Sequence, residues 1–210
     1  MTYAQDERAG VVAALREAGP DAPTLCTGWT TRDLAAHLIT RERRLDAAPG
    51  IMIHALAGHT KRVQDSIAAR EWGQILSQVA SGPPWYSPFK PVDRWANLVE
   101  MFIHHEDILR GGADPDQSWS PRPLSPGLEK ALLRQLIMLS KTSLGSLPAS
   151  VTLRDTDGAR LATGGRGEPV TVTGAVGELL LFCNGRRPVQ VDLAGPADAV
   201  AAVVGAVHGF

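Results

Sequence analysis

The stretch Asp93–Leu109, DRWANLVEMFIHHEDIL, closed by Gly111-Gly112, is the segment on which the fold turns. At about 100° per residue on a helix, Trp95, Leu98, Val99, Phe102 and Leu109 gather on one face. Met101, Ile103 and Ile108 carry apolar character round both sides. What remains is a narrow polar strip of Asn97, Glu100, His104 and Asp107, spaced three, four and three. The pattern predicts a strong helix that ends at the glycine pair.

Glu100 and His104 stand at i and i+4, where Cβ atoms lie roughly 5–6 Å apart. Both could reach one ion, and a carboxylate with an imidazole is half of a zinc site. Taken alone, the strip reads first as a solvated face with a weak surface pair, because Glu-x-x-x-His is common by chance. His37 shifts that balance. It sits inside the apolar run Leu34-Ala35-Ala36-His37-Leu38-Ile39, where a lone histidine reads as a satisfied core residue. A bundle can nevertheless bring its helix against 93–109, giving two histidines and one carboxylate. Three protein ligands leave positions open for water or substrate, as in a catalytic site. The donor set also admits Fe(II), Ni(II) or Co(II).

Outward from these segments, helices alternate with Pro/Gly breaks as far as residue 146. An apolar stripe of Val11, Val12, Leu15 and Ala18 predicts a helix over 4–18, stopped by Gly19-Pro20. Thr30 as N-cap with Asp33 at N3 starts the second helix; its Leu34, Leu38 and Leu45 recur at helical spacing before Pro49-Gly50. Further helices are expected over about 51–69, over 71–80, and from Ser125-Pro126 to about Ser143. The proline-rich segments 82–91 and 113–123 read as loops. Beyond Pro148 the pattern changes: Asp157-Gly158 signals a hairpin between 151–154 and 160–162. Strands at 170–173 and 189–193 and helices at 178–183 and 196–207 follow. The expected protein is mainly α, with a helical bundle over 1–146 and a small α+β module over 147–210. So small a module is expected to dock on the bundle rather than stand alone.

Composition narrows the classes. The chain has 210 residues, 44% of them hydrophobic, and 21 Lys+Arg against 22 Asp+Glu. That is too apolar for disorder, and a net charge of −1 gives no general attraction to nucleic acid or anionic membrane. The two cysteines, Cys26 and Cys183, cannot build a four-thiolate zinc site or a disulfide framework. Any metal must rest mainly on histidine and carboxylate. Residues 1–10 lack the apolar centre of a secretion signal, and no run of about 18 apolar residues occurs. The expected compartment is the cytoplasm.

Cys26-Thr-Gly-Trp-Thr-Thr-Arg-Asp-Leu-Ala-Ala-His37-Leu, followed by Glu100-Met-Phe-Ile-His104-His-Glu-Asp107, resembles the metal-binding bundle of mycothiol-dependent maleylpyruvate isomerases. These belong to the wider DinB-like family of four-helix metalloproteins. The spelling Gly19-Pro-Asp-Ala-Pro-Thr-Leu-Cys-Thr-Gly-Trp, with Arg41-Glu42-Arg43-Arg44, looks closest to an actinobacterial metal-binding branch. The resemblance spans most of residues 5–145. It implies a DinB-like four-helix bundle, His37, Glu100 and His104 as metal ligands, zinc as the ion, and mycothiol as co-substrate. Glu178-Leu-Leu-Leu-Phe-Cys-Asn-Gly-Arg186 looks like the sterol-carrier-like module appended in these isomerases, but is short for one enclosing a lipid tunnel.

Neighbouring residues have two readings each. Asp107 would accept a hydrogen bond from a ligand imidazole or pair with Arg110. Arg41, one turn beyond His37, would hold a substrate carboxylate at the cavity mouth or lie with Arg43 and Arg44 on a solvated face. His105 points about 100° away from His104 and reads as a packing or supporting residue. His54 and His59 read as surface positions. Cys26 reads as a small buried residue at the helix cap rather than a nucleophile, and Trp29 as packing where that helix begins.

The function expected is that of a zinc-dependent thiol transferase or isomerase, in which a small thiol attacks a small electrophile. Two alternatives stand beside it: a non-catalytic metalloprotein that binds a small molecule or partner, and a metal-dependent hydrolase. An uncovered apolar helix face would allow a homodimer.

Overall fold

The structure, a computed structural model, describes residues 2–87, 90 and 93–208. The expected 82–91 loop lies partly outside them, as does the side chain of Trp95. Two compact units divide the chain, Met1–Gly112 and Ala113–Phe210. The first holds helices α1 (Tyr3–Ala18), α2 (Thr31–Arg43), α3 (Ala57–Ala68), α4 (Trp72–Ser81) and α5 (Asp93–Leu109). The second holds α6 (Pro126–Ser143), β1 (Ser150–Arg154), β2 (Arg160–Gly164), β3 (Pro169–Gly174), α7 (Val176–Cys183), β4 (Val191–Ala194) and α8 (Ala197–His208). The protein is mainly α with a small C-terminal sheet, as expected. Helix α6, grouped with the bundle on sequence, lies in the second unit, where it packs on α7 and β2.

Local chemistry sets the helix starts. Thr30 caps α2 and Asp33 reciprocates, its Oδ2 accepting from Thr30 N at 2.9 Å; such a box satisfies two orphan amides. The face that follows, Leu34, Ala35, Leu38 and Ile39, is buried. Helix α2 ends at Arg43, so Leu45 does not extend it and stands 50% exposed. The expected helix over 51–69 is shorter than its pattern. Only Ala57–Ala68 is α-helical, after two 3₁₀ turns at Ala48–Ile51 and His54–Leu56. Pro49 sits at the start of the first turn, and its missing N–H cannot serve a continuing α-helix.

Close approaches then place the loop that will matter. A Cβ on Gly111 would lie 2.0 Å from the Pro23 carbonyl oxygen, so only glycine lets the 19–30 loop rest on the end of α5. Leu25 N donates to Asp107 O at 3.0 Å across the same junction. Helix α1 runs against α5, and Gly10 faces the His105 ring so closely that a Cβ would sit 2.4 Å from it.

In the second unit the sheet order is β2-β1-β3-β4. The expected hairpin is present: β1 and β2 pair antiparallel, and Asp155 Oδ1 accepts from Asp157 N and Ala159 N in its turn. Strand β3 pairs parallel to β1, Val151 opposite Val170 and Leu153 opposite Val172, and all four side chains are buried.

Candidate metal centre

The polar strip of α5 faces inward. Asn97 and Asp107 are wholly buried, His104 is buried, and Glu100 is the half-buried member. The solvated-face reading of that strip therefore fails. Helix α2 brings His37 to meet it: His37 Nε2 lies 3.5 Å from Glu100 Oε1, and His104 Nε2 lies 3.2 Å from the same oxygen. The two imidazole rings stand edge to face with centroids 5.4 Å apart. One donor atom from each of His37, Glu100 and His104 falls within 4.8 Å of the other two.

This donor set suits a divalent ion. Around tetrahedral zinc, with bonds of about 2.0–2.2 Å to nitrogen and oxygen, neighbouring donors sit roughly 3.3–3.5 Å apart. The two Glu100 separations are close to that spacing, and three protein ligands leave a position open.

Each ligand candidate has a partner behind it. Asp107 Oδ2 lies 2.8 Å from His104 Nδ1 and accepts the Cys26 thiol at 3.2 Å. Arg110 forks onto Glu106 instead, at 2.8 and 2.7 Å. His37 Nδ1 lies 3.2 Å from Gln64 Nε2; a flip of that amide would offer its oxygen to an Nδ1–H, leaving Nε2 bare for a metal. The Trp29 ring tilts against His37 with centroids 5.1 Å apart, so it packs that imidazole as well as the helix start. Arg41 Nε lies 3.3 Å from Glu100 Oε1 in an ion pair.

Electrostatics follow from these contacts. Burial pushes His37 below the ordinary histidine value, only partly offset by its hydrogen bond with Glu100. Burial works to raise Glu100, but hydrogen bonds from His104 and His37 and the nearby positive charges hold it well below the usual carboxylate range. Burial likewise opposes charge on His104, yet its bonds with Asp107, Cys26 and Glu100 raise it well above the ordinary value. Two of the three groups are thus held in the deprotonated form a metal needs. The third carries a proton that a metal would displace.

Other residues fall as follows. His105 Nδ1 pairs with Glu7 Oε2 of α1 at 3.1 Å, away from the cluster. His54 is exposed and His59 reaches the exposed Asp46. Cys26 is half-buried rather than sealed, and with His104 and Asp107 it forms a second group of donor atoms within 4.8 Å. No local signal marks that contact, because Cys26 and Asp107 are 81 positions apart. Beside His37 opens a cavity of about 570 Å³, lined by Trp29, Asp33, Lys61 and Gln64 among others.

Comparison with known proteins bears on the domain and the fold. Residues 2–82 match the family model for the mycothiol maleylpyruvate isomerase N-terminal domain. The match takes in α1 to α4 and His37, whereas Glu100 and His104 lie beyond the matched residues. Two solved structures share the fold over 91% of this chain and 90% of their own. One is the mycothiol-dependent maleylpyruvate isomerase, 14% identical with a TM-score of 0.55; the other is a histidine-to-alanine variant of such an isomerase, 12% identical with a TM-score of 0.60. At that identity the likeness is one of fold, and the fold is the DinB-like one expected from sequence. No curated protein matches the chain. Among the described residues no helix is long and apolar enough to cross a membrane.

Proposed function

We propose that this protein holds a divalent metal, zinc, on His37, Glu100 and His104, and acts as a mycothiol-dependent thiol transferase or isomerase on a small electrophile. The observation that carries the reading is the convergence of two imidazoles and one carboxylate, one of them, His37, lining a cavity. Bound there, zinc would supply Lewis acidity, lowering the pKa of an incoming thiol so that it meets the electrophile as a thiolate. The chain's own part is to fix the donors and shape the approach. Asp107 and Gln64 hold the two imidazoles from behind, and Glu100 offsets part of the ion's charge. Asp33, Lys61 and Gln64 give the cavity wall the hydrogen-bonding groups that would orient a polar thiol. The setting implied is the cytoplasm, where small thiols stay reduced.

The test is to load the purified protein with zinc and supply mycothiol with a panel of electrophiles, maleylpyruvate among them. Conversion that needs both metal and thiol supports the proposal. Conversion with metal but no thiol points to hydrolysis, and no conversion with a tightly held small molecule points to a binding protein; either result overturns it.

A further inference from the structure

A polar path, buried from Arg8 to Asn97, runs from α1 to the proposed metal ligand Glu100. Arg8 of α1 clamps Glu42 of α2, Nη1 to Oε2 at 3.0 Å and Nη2 to Oε1 at 2.5 Å, and its Nη1 also reaches Val79 O of α4 at 3.1 Å. Asn97 of α5, wholly buried, donates from Nδ2 to Glu42 Oε1 at 3.2 Å. Its Oδ1 accepts from Arg41 Nη1 at 2.5 Å, and the path ends in an ion pair, Arg41 Nε lying 3.3 Å from Glu100 Oε1. Each link as far as Arg41 is a directional hydrogen bond. The Asn97 amide has an anion at its nitrogen and a cation at its oxygen, so its orientation is set from both ends. Asn97 holds the Arg41 guanidinium through Nη1 while its Nε edge faces the Glu100 carboxylate; an ammonium in its place, a compact point charge, could not present both edges in the same way.

We propose that Arg41 is a positioning residue for the Glu100 carboxylate, and that Asn97 sets Arg41 by tying it to the buried Arg8–Glu42 pair. This inference rests on the metal reading of Glu100. It replaces the expectation that Arg41 holds a substrate carboxylate, since the two contacts of its fork are spent inside the chain. Asn97 lies one turn before Glu100 on α5, so one helix carries both the carboxylate and the residue that aligns its guide. A ligand aligned before the ion arrives needs no ordering when it binds.

Cobalt(II) is the probe, because its visible spectrum reports ligand geometry while chelator competition gives affinity. In Arg41→Lys, Arg41→Gln and Asn97→Leu, one ion per chain is still expected, bound about 10–100-fold more weakly and with shifted visible bands. Arg41→Lys should keep the wild-type thermal midpoint, which separates positioning from folding. An Arg41→Lys protein equal to wild type in affinity and spectrum would reduce Arg41 to a charge and overturn the proposal. Asn97→Ser replaces Asn97→Leu where the latter does not fold. If the wild type binds neither cobalt nor zinc, the metal reading falls by itself, and the path is then judged in the metal-free protein. There, hindered rotation of the Arg41 guanidinium lost in the Asn97 variant supports it, and rotation unchanged in that variant overturns it.

Discussion

His104 Nδ1 lies 2.8 Å from Asp107 Oδ2, three residues further along α5, and the carboxylate is wholly buried. That bond orients the ring so that Nε2 faces Glu100 at 3.2 Å. A buried acceptor behind a ligand imidazole fixes its tautomer and raises its basicity. Asp107→Asn keeps the volume and removes the charge, and should weaken zinc binding about 10–100-fold in a chelator competition. Cys26→Ala removes only a neutral donor to the same carboxylate and should weaken it less. Equal affinities for wild type and Asp107→Asn would remove the ligand role from His104 Nε2.

Zinc uptake should release protons. His104 is raised well above the ordinary histidine value, so at neutral pH its ring carries a proton on each nitrogen and an ion at Nε2 must displace one. Calorimetry in buffers of different ionisation heat should report about one proton released per zinc, and affinity should climb with pH. Uptake without proton release would contradict the charge state assigned to His104.

The same shifts shape the stability of the metal-free protein. His104, raised on folding, contributes fully below its unfolded value of about 6.5 and loses that contribution as pH rises through its higher folded value. Glu100, depressed on folding, contributes above its unfolded value and loses this as pH falls through the lower folded value. Depressed His37 adds to the acid side, since charging it in place costs free energy. Urea midpoints of metal-free protein should therefore fall at both ends of the pH range. A flat profile would contradict these assignments.

Arg8 and Glu42 form a pair with side chains only 6% and 2% exposed. Removing one partner leaves a buried charge, so Arg8→Met or Glu42→Leu alone should cost about 3–5 kcal/mol in urea unfolding. The double variant should be destabilised by less than the sum of the singles. Strict additivity would mean that the two groups do not depend on each other.

Gly111→Ala places a methyl group against the Pro23 carbonyl, where backbone must move. A loss of about 1–3 kcal/mol or more is expected, and with it a shifted 19–30 loop. Because that loop carries Cys26 and Trp29, the aromatic signal of Trp29 should change together with stability. An unperturbed Gly111→Ala protein would show that the junction yields easily.

What could be read in the sequence was periodic or local. The three-four-three strip on α5, the Thr30–Asp33 box and the Asp157-Gly158 turn each depend on residues a few positions apart, and each leads to its element. What could not be read was long-range. Arg41 and Asn97 are 56 positions apart and Arg8 and Glu42 are 34 apart, so nothing local announces either contact. The strip's burial was hidden for the same reason, since a polar helix face looks identical whether it meets water or other polar groups. Leu45 misled because helical spacing continues past the point where α2 stops, and the parallel pairing of β1 with β3 has no sequence mark at all.

The most direct test of the metal centre is metal content. Zinc-loaded wild type, His37→Ala, Glu100→Ala and His104→Ala proteins, exhaustively dialysed, should be compared by elemental analysis beside His59→Ala as a surface control. One zinc per chain is expected in wild type and His59→Ala, with substantial loss in each of the other three. Full retention in all three would contradict the assignment of His37, Glu100 and His104 as ligands.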